Sequence, residues 1–314
     1  MDIIIYCPRD MSALDFDSST AAYFCSVCSA QFPLDRGVIR LTNSENGFYE
    51  GCFENRVHYI PRNEKLIFRW PLWLINSGFI WEVRKYLPAG STVLELGCAG
   101  GVDYFGKRYK MVGVDLSFSS LVNAAKSYTY AVHGDASRLP LPDCSVNGVI
   151  SSFFWEHIPK DEKRVFLAEF NRVLRPEGKL IFLFDVKNAN PLIRYYQKTD
   201  PDLYDKLFLE KDGHVGFHTW DENLKMLRDS AFHVTRITGH ERTFLLSPSV
   251  FKKLRQWKGL MGSTVFPMTI FSSYPWYYGY VAAVRIIDTT VGRLLPLSWA
   301  RTVCVVCTKE SRRI

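Results

Sequence analysis

The first ten residues, MDIIIYCPRD, hold no basic segment, no long apolar stretch and no small-residue cleavage motif, which predicts no secretory signal. The eight cysteines are scattered, so without such a signal a disulfide framework is not expected and a reducing, cytoplasmic setting is. No Gly-Lys-Ser/Thr follows the glycine-rich turn at 97–101, which excludes a P-loop. Acidic side chains are scarce at the C-terminal end. Residues 241–314 carry 11 basic and 3 acidic groups, whereas residues 1–45 carry 3 basic and 6 acidic ones. The net charge of +7 therefore belongs to the last quarter, where an acidic partner would be sought. What is abundant is apolar and aromatic, 47% and 15% of residues, enough for one large core or a main domain with an appendage.

The stretch STVLELGCAGGVDYFGKRYKMVGVDLS, residues 91–117, reads as strand, glycine-rich turn, short helix and second strand, each strand ending in an acid. A dinucleotide fingerprint requires G-x-G-x-x-G. From Gly97 that register falls on Gly97, Ala99 and Val102, so two of three glycines are missing. Glycines at such a turn let backbone approach a ligand closely. An acid ending the second strand can accept both hydroxyls of a ribose, and an acid ahead of the turn suits a cationic amino group.

ELGCAGG at 95–101 and GVDLS at 113–117 resemble the first two motifs of class I S-adenosylmethionine (SAM)-dependent methyltransferases, of the type 11-like group. The resemblance continues in order. HGDASRLPLPDCSVNGVISSFFWEHIP at 133–159 resembles the adenine-reading stretch and fourth strand, and NRVLRPEGKLIFLF at 171–184 the following helix, turn and fifth strand. The resemblance covers about 90 residues and implies SAM contacts at Tyr49, Glu95, Gly97, Gly101, Asp115, Leu116, Asp135, Ala136 and Phe153. Two positions depart from the family: Ala99 replaces a frequent glycine, and Gly101 to Asp115 spans about one helical turn less than expected.

Strands are read at 92–96, 111–115, 130–134, 148–152, 179–184, 232–238 and 302–308, with helices at 117–127 and 161–174. The expected fold is α/β, a Rossmann-like seven-stranded sheet. The resemblance implies the order 3-2-1-4-5-7-6 with the last strand antiparallel. Residues 1–45 are expected to form a zinc-ribbon-like segment, 46–88 a linker and helical cover, and 89–314 the methyltransferase domain. Within that domain 186–231 is read as a lid, and 239–300 as an insertion between strands six and seven.

Residues 7–41 resemble the short zinc ribbon that precedes some bacterial methyltransferase domains. Cys25 and Cys28 form an intact C-x-x-C, while the first turn is C-x-x-D, Cys7 and Asp10. These four are candidate ligands of a structural zinc, against a ribbon that has lost its metal. Cys304 and Cys307 have the same spacing but lie in a strand, where residues three apart face opposite ways.

On the acceptor side, His157 follows the fourth strand and His214 lies in DGHVGFHTWDE, so both are candidate catalytic bases. His58, His133, His233 and His240 read as structural. SVFKKLRQWKGLM at 249–261 places Phe251, Leu254 and Trp257 at helical spacing with lysines and arginine on other faces, and an uncharged, aromatic run from Gly259 to Val284 follows. This suits a lid helix packed on the domain, or peripheral membrane contact through 249–284. Prolines 267 and 275 argue against a regular span. The expected activity is methyl transfer, first of all O-methylation, to a small-molecule, sugar- or lipid-linked acceptor. Nucleic acid is the weaker partner, since SSFFWEH stands where an RNA enzyme of this type would carry Asn-Pro-Pro. An RNA methyltransferase and a non-catalytic SAM-binding partner protein are the alternatives.

Overall fold

The computed structural model describes residues 3–43, 50, 78–272 and 276–310. Tyr49 falls outside the described residues. Seven strands carry the central sheet: β5 (Thr92–Leu96), β6 (Lys110–Asp115), β7 (Tyr130–His133), β8 (Val146–Ser152), β9 (Leu174–Asp185), β10 (Phe232–His240) and β11 (Thr302–Lys309). They stand in the order β7-β6-β5-β8-β9-β11-β10. β5 to β9 pair in parallel, and β11 runs antiparallel to both β9 and β10.

The sheet does not stop at seven strands. β1 (Leu14–Asp17), β2 (Ala22–Cys25), β3 (Gln31–Asp35) and β4 (Val38–Arg40) form an antiparallel ribbon whose last strand pairs in parallel with β7. The expected seven-stranded sheet is thus extended to eleven. The reason is edge satisfaction. β7 would otherwise present a row of unpaired N–H and C=O groups, and Val38↔Ala131 to Arg40↔His133 covers it.

The central strands are apolar on both faces because helices cover both. Successive residues alternate between two cores: Leu94 and Leu96 pack on one side and Val93 on the other. The first core receives Phe166, Leu167 and Phe170 of helix Lys163–Val173, together with Ile5, Cys7 and Phe32 of the ribbon. The second receives Phe79, Ile80 and Val83 of a helix at 78–86, with Phe105 and Leu121. Cys304 lies in the second core and Cys307 in the first, as their spacing in a strand requires.

Two expectations are corrected by packing. Helix Trp220–Asp229, which opens on a Thr219–Glu222 capping box, lies against β10 and belongs to the sheet layer, so the cover over the strand ends stops before it. The remaining lid and the insertion do not fold apart. Ile193, Tyr196 and Phe208 of the first share one apolar cluster with Val250, Phe251, Leu254 and Trp257 of the second. The apolar stripe of helix Pro248–Leu254 is therefore covered by protein, while Lys252 is exposed. Among the described residues no helix is long and apolar enough to cross a membrane.

Candidate active site and metal cluster

The glycine turn follows β5 at the carboxyl ends of the parallel strands. Gly97 has φ +59°, and a Cβ there would stand 2.9 Å from the Phe154 ring, so the position admits no side chain without displacing it. Ala99 holds φ +43°, which costs a residue with a Cβ roughly 1–2 kcal/mol. What holds it is Asp115 at the end of β6. One carboxylate oxygen accepts the Ala99 N–H at 2.8 Å, and the other accepts the Ser117 N–H at 2.8 Å. The acid at the second strand thus clamps the glycine turn to the start of helix Phe118–Ala124. Each oxygen retains a second lone pair for a ligand hydroxyl.

A cavity of about 400 Å³ opens over this turn, lined by Gly97, Ala99, Asp115, Leu116, Asp135, Ala136, Phe153 and His157 among others. Phe154, Glu162 and Val215 also line it, though the sequence did not single them out as site residues. Glu95 and Gly101, expected at the cofactor, do not line it. Glu95 is 2% exposed and accepts the Tyr128 hydroxyl, whose oxygen accepts the Val102 N–H at 2.9 Å. Gly101, at φ +70°, lies where a Cβ would come within 3.1 Å of Ala124 and of the Tyr128 ring. Both residues brace the turn from behind. Glu50 caps helix Phe118–Ala124 from upstream, accepting the Phe118 N–H at 2.6 Å and the Ser119 hydroxyl.

Burial pushes the Glu95 carboxyl up to about 8, with the Asp115 charge adding to it and the Tyr128 hydrogen bond opposing. Folding therefore takes up a proton at pH values between about 4.5 and 8, and stability falls as pH rises through that window. Glu95→Gln is expected to flatten this dependence. Urea unfolding at pH 6 and pH 9 checks it: the wild type should lose about 2–3 kcal/mol more than the variant, and equal losses would place the proton elsewhere.

Behind Phe153 lies a second cavity of about 370 Å³, bordered by Glu156, His157, Asp185, His214, Lys253 and Arg301. Phe153 itself, an aromatic residue at φ +55°, separates it from the first. A third cavity of about 270 Å³ shares Phe153, Ser249 and Arg301 and runs along Tyr277, Tyr280, Val281 and Val284. Arg301 donates to Asp185 at 2.5 Å and to Glu241 at 2.8 and 3.0 Å. Burial opposes its charge, but Asp185 and then Glu241 outweigh that and raise its pKa. The Arg301–Asp185 pair carried no sequence motif, although Asp185 ends β9 as Asp115 ends β6.

His157 and His214 meet here with ring centroids 5.3 Å apart. His157 Nδ1 lies 2.9 Å from the Gly213 carbonyl, which can only accept, so that nitrogen carries the proton. Burial, and then the neighbouring His214, push His157 down to about 4; burial likewise lowers His214. Both imidazoles are neutral at pH 7. Their segment is anchored by Lys163, a buried lysine over the Trp155 ring, which donates to the Gly216 carbonyl at 2.7 Å. His133 and His240, read as structural, are buried and border neither of the first two cavities.

At the N-terminal end Cys7, Asp10, Cys25 and Cys28 converge, with one ligand atom from each within 4.8 Å of the others. The Cys7 and Cys28 sulfurs are 3.6 Å apart, and Cys25 Sγ is 3.3 Å from Asp10 Oδ2. Tetrahedral zinc with bonds of about 2.3 Å to sulfur sets its sulfurs roughly 3.8 Å apart, so the set fits. Backbone N–H groups of Arg9 and Cys28 point at the Cys7 and Cys25 sulfurs, and Ser12 holds Asp10 Oδ1, with Oδ2 toward the cysteines.

Residues 94–182 match a family described as a methyltransferase domain. A probable S-adenosylmethionine-dependent methyltransferase of Mycolicibacterium smegmatis is 30% identical over 121 residues, which are 37% of this chain and 46% of that protein. A fatty-acid O-methyltransferase of the same organism is 32% identical over 102 residues, 30% of this chain and 36% of that protein. The match spans less than half the length of either relative. The fold is that of the cyclopropane synthase MmaA2 of Mycobacterium tuberculosis, at TM-score 0.51 and 15% identity over 80% of this chain and 88% of that one. The glycine turn, the acids at the strand ends and the strand order thus fall within or beside residues 94–182, the segment that matches the methyltransferase domain family.

Proposed function

We propose that this protein transfers a methyl group from SAM to an oxygen of a small-molecule, sugar- or lipid-linked acceptor. The observation that carries the reading is the junction at Phe153 and His157. A cavity lined by the cofactor motifs meets there a second, separately walled cavity under the lid. SAM supplies an electrophilic sulfonium methyl when bound. The first cavity suits it in size and polar groups: Asp115 accepts from ribose hydroxyls, Asp135 and the Ala136 N–H read adenine, and Gly97 admits close backbone approach.

Methyl transfer is an in-line displacement, so aligning the acceptor supplies much of the rate. Phe153 and, from the lid cluster, Ile193, Tyr204, Phe208 and Val250 line the cavity in which the acceptor is aligned. His157 and His214, neutral at pH 7, stand where an acceptor hydroxyl gives up its proton. The third cavity, with Tyr277, Tyr280, Val281 and Val284 along it, has room for an apolar extension, which favours a lipid-linked acceptor over a compact metabolite. The O-methyltransferase among the relatives supports oxygen as the target atom.

The test is methyl-labelled SAM with a whole-cell extract, separated into lipid, aqueous and nucleic-acid fractions. Label in lipid or aqueous material is expected. Label in nucleic acid alone would replace the reading with an RNA methyltransferase. SAM binding without transfer into any fraction would replace it with a non-catalytic partner protein.

A further inference from the structure

From the packing of the second cavity we propose that Glu156, His157 and His214 form a divalent-cation site that holds the acceptor oxygen. The inference rests on the reading of this cavity as the acceptor site. One carboxylate oxygen of Glu156 and one ring nitrogen each of His157 and His214 lie within 4.8 Å of one another. Two of these groups are conspicuously short of partners. Glu156 is 1% exposed, and its Oε1 accepts the Asp185 N–H at 3.1 Å, but its buried Oε2 has no hydrogen-bond partner in the protein. The buried Nδ1 of His214 has none either. Burying a carboxylate oxygen and an imidazole nitrogen without partners costs a few kcal/mol, and a cation satisfies both at once.

The surroundings are built as a metal's outer shell is. The Nδ1–H of His157 is fixed by the Gly213 carbonyl, the bond that sets the tautomer and angle of a ligating imidazole. Lys163 holds the same segment through Gly216. The nearby Asp185 is already engaged by Arg301 and Thr302, so it balances that arginine. Two imidazoles and one carboxylate suit zinc, iron, cobalt or manganese, and three protein ligands leave positions open for an exogenous one. Those positions give onto the cavity. With both imidazoles then engaged by the cation in place of acting as free bases, a hydroxyl bound there loses its proton to solvent and is held as the conjugate base. Its oxygen then forms the O–CH3 bond while the methyl–sulfur bond breaks with its electron pair left on sulfur.

Cobalt(II) titration of the full chain separates this site from the N-terminal cluster. Thiolate-to-cobalt charge-transfer bands mark the cysteines, whereas d–d bands without them mark Glu156, His157 and His214. The wild type is expected to bind one equivalent of the second kind. Its affinity should fall at least tenfold in both Glu156→Gln and His214→Asn and stay unchanged in Cys25→Ser. Glu156→Gln retains an acceptor for the Asp185 N–H, and SAM binding by calorimetry reports that each variant is folded. Cobalt bound only with thiolate bands, or wild-type cobalt affinity in both variants, would overturn the proposal while leaving the cofactor site intact. Failure of the wild type to bind SAM would instead remove the reading beneath it.

Discussion

Asp115→Ala should abolish measurable SAM binding, raising Kd by at least about 100-fold. Two losses combine. The two ribose hydroxyls lose a charged acceptor, and hydrogen bonds to charged groups contribute about 1.5–3 kcal/mol each. The glycine turn also loses its clamp, because the same carboxylate accepts the N–H groups of Ala99 and Ser117. Without it Ala99 has nothing to hold φ at +43°, and the backbone that should cradle the ligand relaxes. Asp115→Asn is expected to be almost as damaging. Both oxygens face backbone donors, so either orientation of the amide sets its NH2 against an N–H. Calorimetry with SAM, beside a thermal melt to confirm folding, is the measurement. A change of less than threefold in a folded variant would show that the cofactor binds elsewhere.

That position was legible in the sequence because its requirement is local: an acid at the end of an apolar strand, beyond a glycine turn. The parallel strands were legible for a related reason. TVLEL, GVISS and KLIFLF are apolar on both faces, which marks strands covered by helices on each side. Glu95 shows where this stops. Its type and place before Gly97 match the motif, yet its carboxylate is engaged by Tyr128, whose ring packs against Gly101 and Gly113 beneath the turn. The opposing partner lies 33 residues away, and no pattern in the motif announces it.

Longer-range contacts were hidden more completely. The Tyr196 and Trp257 rings pack edge to face at 5.3 Å across the lid and the insertion, which the sequence read as separate additions. Both stretches are amphipathic helices too short to be stable alone, so each needs the other's apolar face. The Arg301–Asp185–Glu241 group likewise draws on three distant segments. The sequence showed a basic C-terminal quarter, but one of its arginines is half-buried at the acceptor cavity, where it is already paired with two acids, Asp185 and Glu241.

The second large effect is expected from the N-terminal cluster. We propose a bound zinc there, and Cys25→Ser should lose one zinc per chain by elemental analysis, while Cys144→Ser, at an exposed cysteine outside the cluster, should lose none. Structural zinc contributes about 10–16 kcal/mol to the folding of isolated finger peptides. Here β4 is paired with β7 and retains part of the ribbon without metal, so the loss should be smaller but still several kcal/mol. It should also reach the cofactor. The Tyr6 N–H donates to the Pro140 carbonyl at 2.9 Å, Arg138 donates to the Arg9 carbonyl at 2.9 Å, and Leu139 and Leu141 pack in one core with Ile5 and Cys7. That loop begins at Asp135 and Ala136, which line the cofactor cavity. Loosening the metal turns therefore frees the loop that reads adenine, and SAM affinity should fall about tenfold in Cys25→Ser with Asp115 and the glycine turn untouched. Full zinc retention in Cys25→Ser would remove the metal assignment. Zinc loss with unchanged SAM affinity would confine the metal to the ribbon and show that β4 alone holds the loop.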